Sequence, residues 1–554
     1  MIRISTLIVF ISCICFRADA QNDDKRPNLI FILTDDHRYD QLGCTGNEIV
    51  QTPNIDKLAN QGTLFTNAYV TSAICTPSRV SMFLSQYERK HGVNFNSGTS
   101  VSDEAWEDSY PVVLRKSGYY TGYIGKNHAP VGNGGYQSGV MEKSFDYWYA
   151  GHGHLTFYPK GRHKIFSEAQ NDTQVEIINE GINDFMSNEH KLNGAIRFLD
   201  TRPKDKPFLL SVNFNVPHGA STRSMKQLET DPDLYRSAYR NKEIPLVENY
   251  IAKEDIIDPK LPESVHHYKD RQFIYDWVDD EEQYKEIKTR QYQTITGVDN
   301  LVGELLASLK EQNLDKNTII VFTSDHGLFS GEYGLGGKGL CYQICTHVPF
   351  IIYNPTVKKK ARGQVVDALV QTIDIAPTLL AYAGVQQPGS YQGVRLDKLV
   401  SSEQKEVRDY VFTENLWSTT FGNPRCESVQ DKEWKYIRYY QNNNISALRV
   451  EELAKEMNMP VNNLLYGVHD PEIAVYRSFV ESPLEGEEPV YEELYHLKSD
   501  PEEATNLADR EDQKQMLIRM RAVWNEKIVL ARGTEKPKVY RYTVESKNTF
   551  VKPE

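Results

Sequence analysis

The chain's 554 residues carry 63 Lys and Arg against 76 Asp and Glu, a formal net charge of −13. That acidic balance excludes nucleic acid and anionic membranes as partners held by the protein's general field. An anionic ligand would have to be held by a local cluster of cations instead.

Residues 1–20 read as an export signal: Arg3 is basic, Leu7 to Phe16 is an apolar run too short to span a bilayer, and Ala18-Asp19-Ala20 offers small residues for cleavage. A lipoprotein anchor at Cys13 is disfavoured, because Phe10-Ile11-Ser12 is a poor lipobox. The mature protein is therefore expected to be periplasmic or extracellular, with no membrane segment. Loss of the signal leaves 61 basic and 75 acidic residues, a net charge of −14, and five cysteines: Cys44, Cys75, Cys341, Cys345 and Cys426. Cys341 and Cys345 read as a local bridge or as buried thiols, since no zinc-finger spacing accompanies them.

Pro27 to Thr34 is a continuous apolar run rich in branched residues, the pattern of a strand buried on both faces, and it ends in Asp35-Asp36. Adjacent carboxylates at a strand's carboxyl end repel unless a cation lies between them. Pro53 to Gly62 predicts a short helix and Leu64 to Val70 a strand leading to Ala73-Ile74-Cys75-Thr76-Pro77-Ser78-Arg79. Pro77 is expected to open a helix, with Thr76 held out of helical conformation, Cys75 at its mouth and Arg79 four residues on along the same face. Val112 to Ser117 predicts a helix, and Tyr119 to Ile124 a strand delivering Gly125-Lys126-Asn127-His128. The stretch from Phe145 to His163 mixes aromatic and basic side chains; His152, His154, Arg162 and His163 are its candidates for holding an anionic saccharide.

Glu176 to Leu199 has helical spacing, and Pro207 to Phe214 predicts a strand leading to Pro217-His218. Residues 221–279 read as an irregular excursion. A helix over Tyr284 to Gln312 and a strand over Asn317 to Ser324 follow, the latter ending in Asp325-His326-Gly327. A glycine-rich loop then carries Lys338 without the spacing of a Walker loop. Val348 to Tyr353 continues the sheet and Thr372 to Ala383 is helical. A charged segment at 401–408 separates a body over 21–405 from a smaller α+β subdomain over 406–554. That subdomain has strands at Trp434 to Tyr440 and Glu493 to Leu497, a final helix over Gln513 to Leu530 and an insertion at about 441–490.

The ordered set Asp35-Asp36, Cys75-x-Pro-Ser-Arg79, Lys126-x-His128, Pro217-His218, Asp325-His326-Gly327 and Gly337-Lys338 resembles the type I sulfatases of the alkaline phosphatase superfamily, in particular exported bacterial carbohydrate sulfatases. The resemblance runs from about Arg26 to about Leu507. It implies an α/β fold, a large, mostly parallel mixed sheet flanked by helices, followed by the smaller C-terminal subdomain. It also implies that a formylglycine-generating, sulfatase-maturing enzyme oxidises Cys75. Asp35, Asp36, Asp325, His326 and one oxygen of the hydrated residue 75 would then hold a divalent metal. The hard oxygen set favours calcium, with magnesium or manganese as alternatives.

By the same resemblance, a deprotonated hydroxyl of the hydrate attacks sulfur and expels a sugar alcohol. Arg79 and Lys126 steady the nucleophile, and Lys126 and Lys338 neutralise the sulfuryl group. His218 protonates the leaving oxygen, and His128 takes the proton that releases sulfate. The implied substrate is a sulfated saccharide. Two other readings are a phosphonate or phosphodiester hydrolase of the same superfamily and a non-catalytic binder of sulfated glycans. The first shares the nucleophile and the Asp-His pair; the second would need a disrupted nucleophile or cation set, and none is disrupted.

Overall fold

The computed structural model describes residues 26–94, 99–152, 190–221, 233–262, 264–265, 278–416, 424–440, 455, 488–535 and 537–541. The export signal, His154, Arg162, His163 and nearly all of the 441–490 insertion lie outside the described residues.

Strand β1 (Asn28–Asp35) is buried at every position. Its alternating side chains feed two cores: Ile30 and Ile32 belong to one, Leu29, Phe31 and Leu33 to the other. The partners are β2 (Thr63–Tyr69), β3 (Tyr120–Asn127), β4 (Tyr147–His152), β5 (Phe208–Pro217), β6 (Thr318–Ser324), β7 (Phe350–Tyr353) and β8 (Gln364–Gln371). They form one eight-stranded sheet in the order β8-β2-β7-β6-β1-β5-β3-β4. β7 alone among them runs antiparallel to its neighbours. The described chain between β6 and β7 contains no helix long enough for a crossover, only a small hairpin of Phe329–Ser330 with Gly336–Gly337 and the four-residue helix Gln343–Thr346, so it returns in the opposite direction. The expected parallel arrangement holds elsewhere, and it places the carboxyl ends of β1, β3, β5 and β6 along one edge.

Helices α1 (Pro53–Gln61) and α5 (Glu281–Glu311) cover one face through Ile55, Leu58, Ile295, Val298 and Val302. Helices α2 (Cys75–Leu84), α3 (Tyr110–Lys116) and α6 (Ile375–Tyr382) cover the other through Val80, Phe83, Leu114 and Leu379. Helix α4 (His190–Thr201) corresponds to the end of the helical pattern read over 176–199, the rest of which is not described. Helix α2 departs from expectation. It begins at Cys75 with Ile74 as N-cap, so Pro77 is its third residue and Thr76 is already helical. The first turn tolerates this because its N–H groups have no intrahelical acceptor; the first such bond runs from Ser78 N to Ile74 O at 3.0 Å.

The C-terminal part is an antiparallel sheet of β9 (Val411–Asn415), β10 (Cys426–Gln430), β11 (Trp434–Tyr439) and β12 (Tyr491–His496). Helix α7 (Lys514–Arg532) seals one face with Leu517, Met520, Trp524 and Ile528. The other face presses Cys426, Ile437, Tyr439 and Tyr495 against Val70, Tyr342, Cys345 and Val348 of the body.

At that junction the buried Glu493 carboxylate accepts hydrogen bonds of 2.9 Å from the Tyr342 hydroxyl, on both oxygens, and from the Tyr439 hydroxyl. Burial pushes its pKa from the ordinary 4.5 up to about 7, against the pull of Lys260 and the tyrosine hydroxyls. The folded chain thus holds a proton that the unfolded chain has already lost. Stability from this group is complete below about pH 4.5 and falls away as pH rises to about 7, a change on the order of 3 kcal/mol. Urea unfolding from pH 4.5 to 8 should show this decline in the wild type and lose it in Glu493→Gln. Parallel curves for the two proteins would mean that Glu493 is ionised throughout.

Candidate active site

The edge formed by the parallel strands gathers charged side chains from five segments. Asp35 ends β1, and Asp36 follows it with φ of 60°, a left-handed conformation that a short polar residue tolerates better than a branched one. Its backbone N–H donates to Asp325 Oδ1 at 3.1 Å, which locks the turn to the segment after β6. Cys75 opens α2 at the end of the loop from β2. Ser78, one turn on, donates to the Asp325 carbonyl at 2.6 Å. Arg79 donates through Nε to Asp325 Oδ2 at 2.9 Å and lies 3.8 Å from Asp35 Oδ1.

Gly125 kinks β3 just before Lys126. Its φ is 98°, and a Cβ there would overlap the Asn213 carbonyl of β5, so only glycine permits this approach. The kink directs Lys126 Nζ onto Asp35 Oδ2. The Lys126 carbonyl is held by the Tyr123 hydroxyl at 2.8 Å and by Arg79 Nη1 at 3.3 Å. Lys338 reaches across from the glycine-rich loop, 2.7 Å from Asp36 Oδ1 and 3.0 Å from Cys75 Sγ. His326 Nε2 lies 3.2 Å from the same sulfur, and its Nδ1 is 3.3 Å from Asp36 Oδ1. His218, just after β5, has its Nε2 3.8 Å from Asp36 Oδ2.

Asp35, Asp36, Asp325 and His326 are all fully buried, and the electrostatics follow from that crowding. Burial alone would raise the Asp35 pKa, but Lys126, His218 and Arg79 outweigh it and hold that carboxyl well below its ordinary value. Asp36 is shifted the other way: burial raises it, and Asp35 and Asp325 add to the shift against Lys338 and His326. Burial pushes the Cys75 thiol up to about 12 despite Lys126 and Lys338, and lowers His326. The Cys75 sulfur is therefore neutral among these side chains.

One ligand atom each from Asp35, Cys75, Asp325 and His326 lies within 4.8 Å of the others. Among the described residues, Asp35 Oδ1 and Asp36 Oδ2 are buried without a hydrogen-bond partner. Buried carboxylate oxygens left without donors fit a divalent cation, and the oxygen-rich donor set fits a hard one. The neutral thiol is the poorest donor of the group.

His128 follows Lys126 by two residues and is buried. Its ring lies against Tyr136, at 5.9 Å between centroids, and its carbonyl accepts from the Tyr136 hydroxyl at 3.3 Å. His152, a candidate for the saccharide, sits behind this segment. Its Nε2 is 2.6 Å from Glu142 Oε1 and its Nδ1 is 2.9 Å from Asn127 Nδ2. Asn127 in turn takes the Ala129 N–H on Oδ1 at 3.0 Å. Both His152 nitrogens are thus spent inside the protein, and the ring braces the 126–129 segment. Sequence reasoning did not single out Tyr123, Tyr136, Asn127 and Glu142 as site residues; of these only Asn127 stands inside a motif, and the others carry no local signal.

Two family descriptions match the chain: Sulfatase over residues 27–385, and N-sulphoglucosamine sulphohydrolase, C-terminal, over residues 331–468. The chain is 28% identical over 495 residues to an arylsulfatase of Clostridium perfringens, covering 84% of this chain and 96% of that one. It is 26% identical over 491 residues to an N-acetylglucosamine-6-O-sulfatase of Bacteroides thetaiotaomicron, covering 79% and 83%. Its fold matches a solved structure in complex with its substrate D-glucosamine-2-N,6-O-disulfate, with a TM-score of 0.66 at 22% identity, over 93% of this chain and 99% of that one. The phosphonate monoester hydrolase of Agrobacterium radiobacter has the same fold, with a TM-score of 0.64 at 21% identity, over 92% and 95%. With the sulfatase description spanning more than half of its length, the chain belongs to the sulfatase family of the alkaline phosphatase superfamily and is a sulfuric ester hydrolase.

Proposed function

We propose that this sulfatase removes sulfate esters from a carbohydrate, with residue 75 matured to formylglycine and a divalent cation, calcium, held by Asp35, Asp36, Asp325 and His326. The observation that carries this reading is the place of Cys75: the first residue of a helix, with Lys338 Nζ at 3.0 Å and His326 Nε2 at 3.2 Å from its sulfur. A neutral thiol is ill suited to that company of hard ligands, whereas an oxygen-bearing residue suits it. Once in place, the cation and the hydrated aldehyde would supply a nucleophilic oxygen of lowered pKa and an electrophilic contact for the ester.

The remaining work falls to the chain's own side chains. Lys126 and Lys338 are the cations offered to the sulfuryl oxygens, and their present contacts with Asp35 and Asp36 fix where those charges are held. Arg79, anchored on Asp325, holds the Lys126 carbonyl and so the kinked strand end. His218 is assigned the proton for the leaving alcohol, and His128 the base that restores residue 75. The carbohydrate part of the reading is supported by the names of the relatives, among them the N-acetylglucosamine-6-O-sulfatase and an ulvan-active sulfatase of Formosa agariphila. Export to the periplasm or beyond, read from residues 1–20, agrees with a polymeric substrate. Division into a catalytic body over 21–405 and a C-terminal subdomain over 406–554 remains part of this proposal.

Protein co-expressed with a maturing enzyme should show an aldehyde in the peptide spanning Cys75 by mass spectrometry and release sulfate from members of a panel of defined sulfated oligosaccharides. Full activity in material whose Cys75 is wholly thiol would defeat the nucleophile assignment. Turnover of phosphonate esters above that of matched sulfate esters would defeat the substrate assignment.

Lys126→Ala should lower turnover by on the order of a hundredfold, the loss typical of one donor to developing charge, with the fold intact by circular dichroism. An unchanged rate would remove Lys126 from the machinery.

Glu142→Ala should act through the brace behind His128, lowering kcat more than it raises KM, while Glu142→Gln, which can still accept the His152 N–H, should restore most of the rate. Equal loss in both variants would mean that the brace does not operate through this hydrogen bond.

A further inference from the structure

Three cysteines stand outside the site and are fully buried: Cys341, Cys345 and Cys426. Cys341 lies three residues beyond Lys338, on the same loop. Cys426 opens β10, the second strand of the C-terminal sheet, where it pairs with Asn415 of β9 and Tyr439 of β11. Their sulfurs are 3.5 Å apart although the residues are separated by 85 positions. Each sulfur also meets a backbone carbonyl: Thr413 O at 3.8 Å from Cys341 Sγ, and Gly339 O at 3.9 Å from Cys426 Sγ. No His, Asp or Glu completes a metal set around them among the described residues. Cys345, four residues on in the helix Gln343–Thr346, is not the sulfur that Cys341 faces; of the two readings of that spacing, a local bridge or buried thiols, the structure shows buried thiols.

We propose that Cys341 and Cys426 are a disulfide site that fastens the loop bearing Lys338 to the C-terminal sheet. Two thiols in contact, each surrounded by apolar side chains of one core, need an approach of about 1.5 Å to reach bonding distance. The chemistry is thiol–disulfide exchange with an external disulfide, either glutathione disulfide or a Cys-x-x-Cys oxidoreductase. One thiolate attacks the oxidant to give a mixed disulfide, and the second displaces the oxidant's remaining sulfur. The pair loses two protons and two electrons, and the oxidant's disulfide is reduced to two thiols. Burial keeps the Cys426 thiol protonated in the folded chain, so exchange belongs to the stage at which the sheet docks, before the core closes. The inference draws on the export reading for its oxidising compartment. It is independent of the chemistry assigned to Cys75.

The full chain should be prepared in two ways: secreted to an oxidising compartment, and refolded in a glutathione redox buffer. Each preparation is denatured in alkylating agent without reductant, digested and weighed. The expected product is a linked pair of peptides carrying Cys341 and Cys426, two hydrogens lighter than their sum, with Cys44 and Cys345 alkylated. The linked protein should also melt higher than Cys341→Ala/Cys426→Ala by on the order of 5 °C, because a long loop is closed in its unfolded state. Alkylated Cys341 and Cys426 in both preparations, or a link from either to Cys345, would overturn the proposal. A link in the refolded protein and none in the secreted one would overturn its use in the cell and count against the export reading, leaving the sulfatase assignment untouched.

Discussion

Everything at the strand edge depends on the burial of three carboxylates within a few ångströms of one another. Asp35, Asp36 and Asp325 have no exposed surface, and an uncompensated charge so placed costs several kcal/mol. Compensation comes from Arg79, Lys126 and Lys338, each on a different element: helix α2, strand β3 and the loop after β6. The loop carrying Lys338 closes because Asp36 awaits its charge, and β3 kinks at Gly125 because Lys126 must reach Asp35. Two carboxylate oxygens, Asp35 Oδ1 and Asp36 Oδ2, still have no hydrogen-bond donor among the described residues after all three cations are placed, and the residual deficit is what a bound cation would fill.

This arrangement explains why assembly of the site and stability of the fold are hard to separate. The Asp325 carboxylate takes Arg79 on one oxygen and the Asp36 N–H on the other, while its carbonyl takes Ser78. It thereby ties together β1, α2 and the end of β6. Removing such a hub loses both the electrostatic set and the geometry of three chain segments.

Much of this was legible from the chain itself. Runs such as Leu29 to Leu33 and Ile319 to Phe322 announce strands buried on both faces, and the charged residues that end them stand out because they break an apolar run. The motifs are local strings, so their members could be named before their contacts were known. What was not legible lies in the third dimension. The reversed direction of β7 depends on how the glycine-rich loop returns, and β8 carries no clear strand pattern because it lies at the sheet's edge, its first four residues partly or largely exposed, Val365 by 68%, and only its last four buried. Pro77 misled by one rule of preference: a proline suits a helix's first position, yet the unpaired N–H groups of the whole first turn leave room for it at the third. Tyr136, Glu142 and Cys426 sit in segments with no distinguishing pattern, and only the folded chain gives them their partners, the His128 carbonyl, the His152 ring and the Cys341 sulfur.

The face of the C-terminal sheet that meets the body has a consequence for how such a protein can diversify. Ile437, Tyr439 and Tyr495 on one side and Tyr342, Cys345 and Val348 on the other form a single hydrophobic core. Glu493 of β12 receives the hydroxyl of Tyr342, and Lys435 of β11 pairs with Glu503 at 2.8 Å, its Oε2 in turn accepting the Gln343 N–H at 2.6 Å. The closing sheet is therefore a wall of the same room and not an attached module. Recombination that exchanged it whole would tear a core and strand buried charges, so new specificities in this architecture must arise by remodelling loops around a body and sheet that are inherited together.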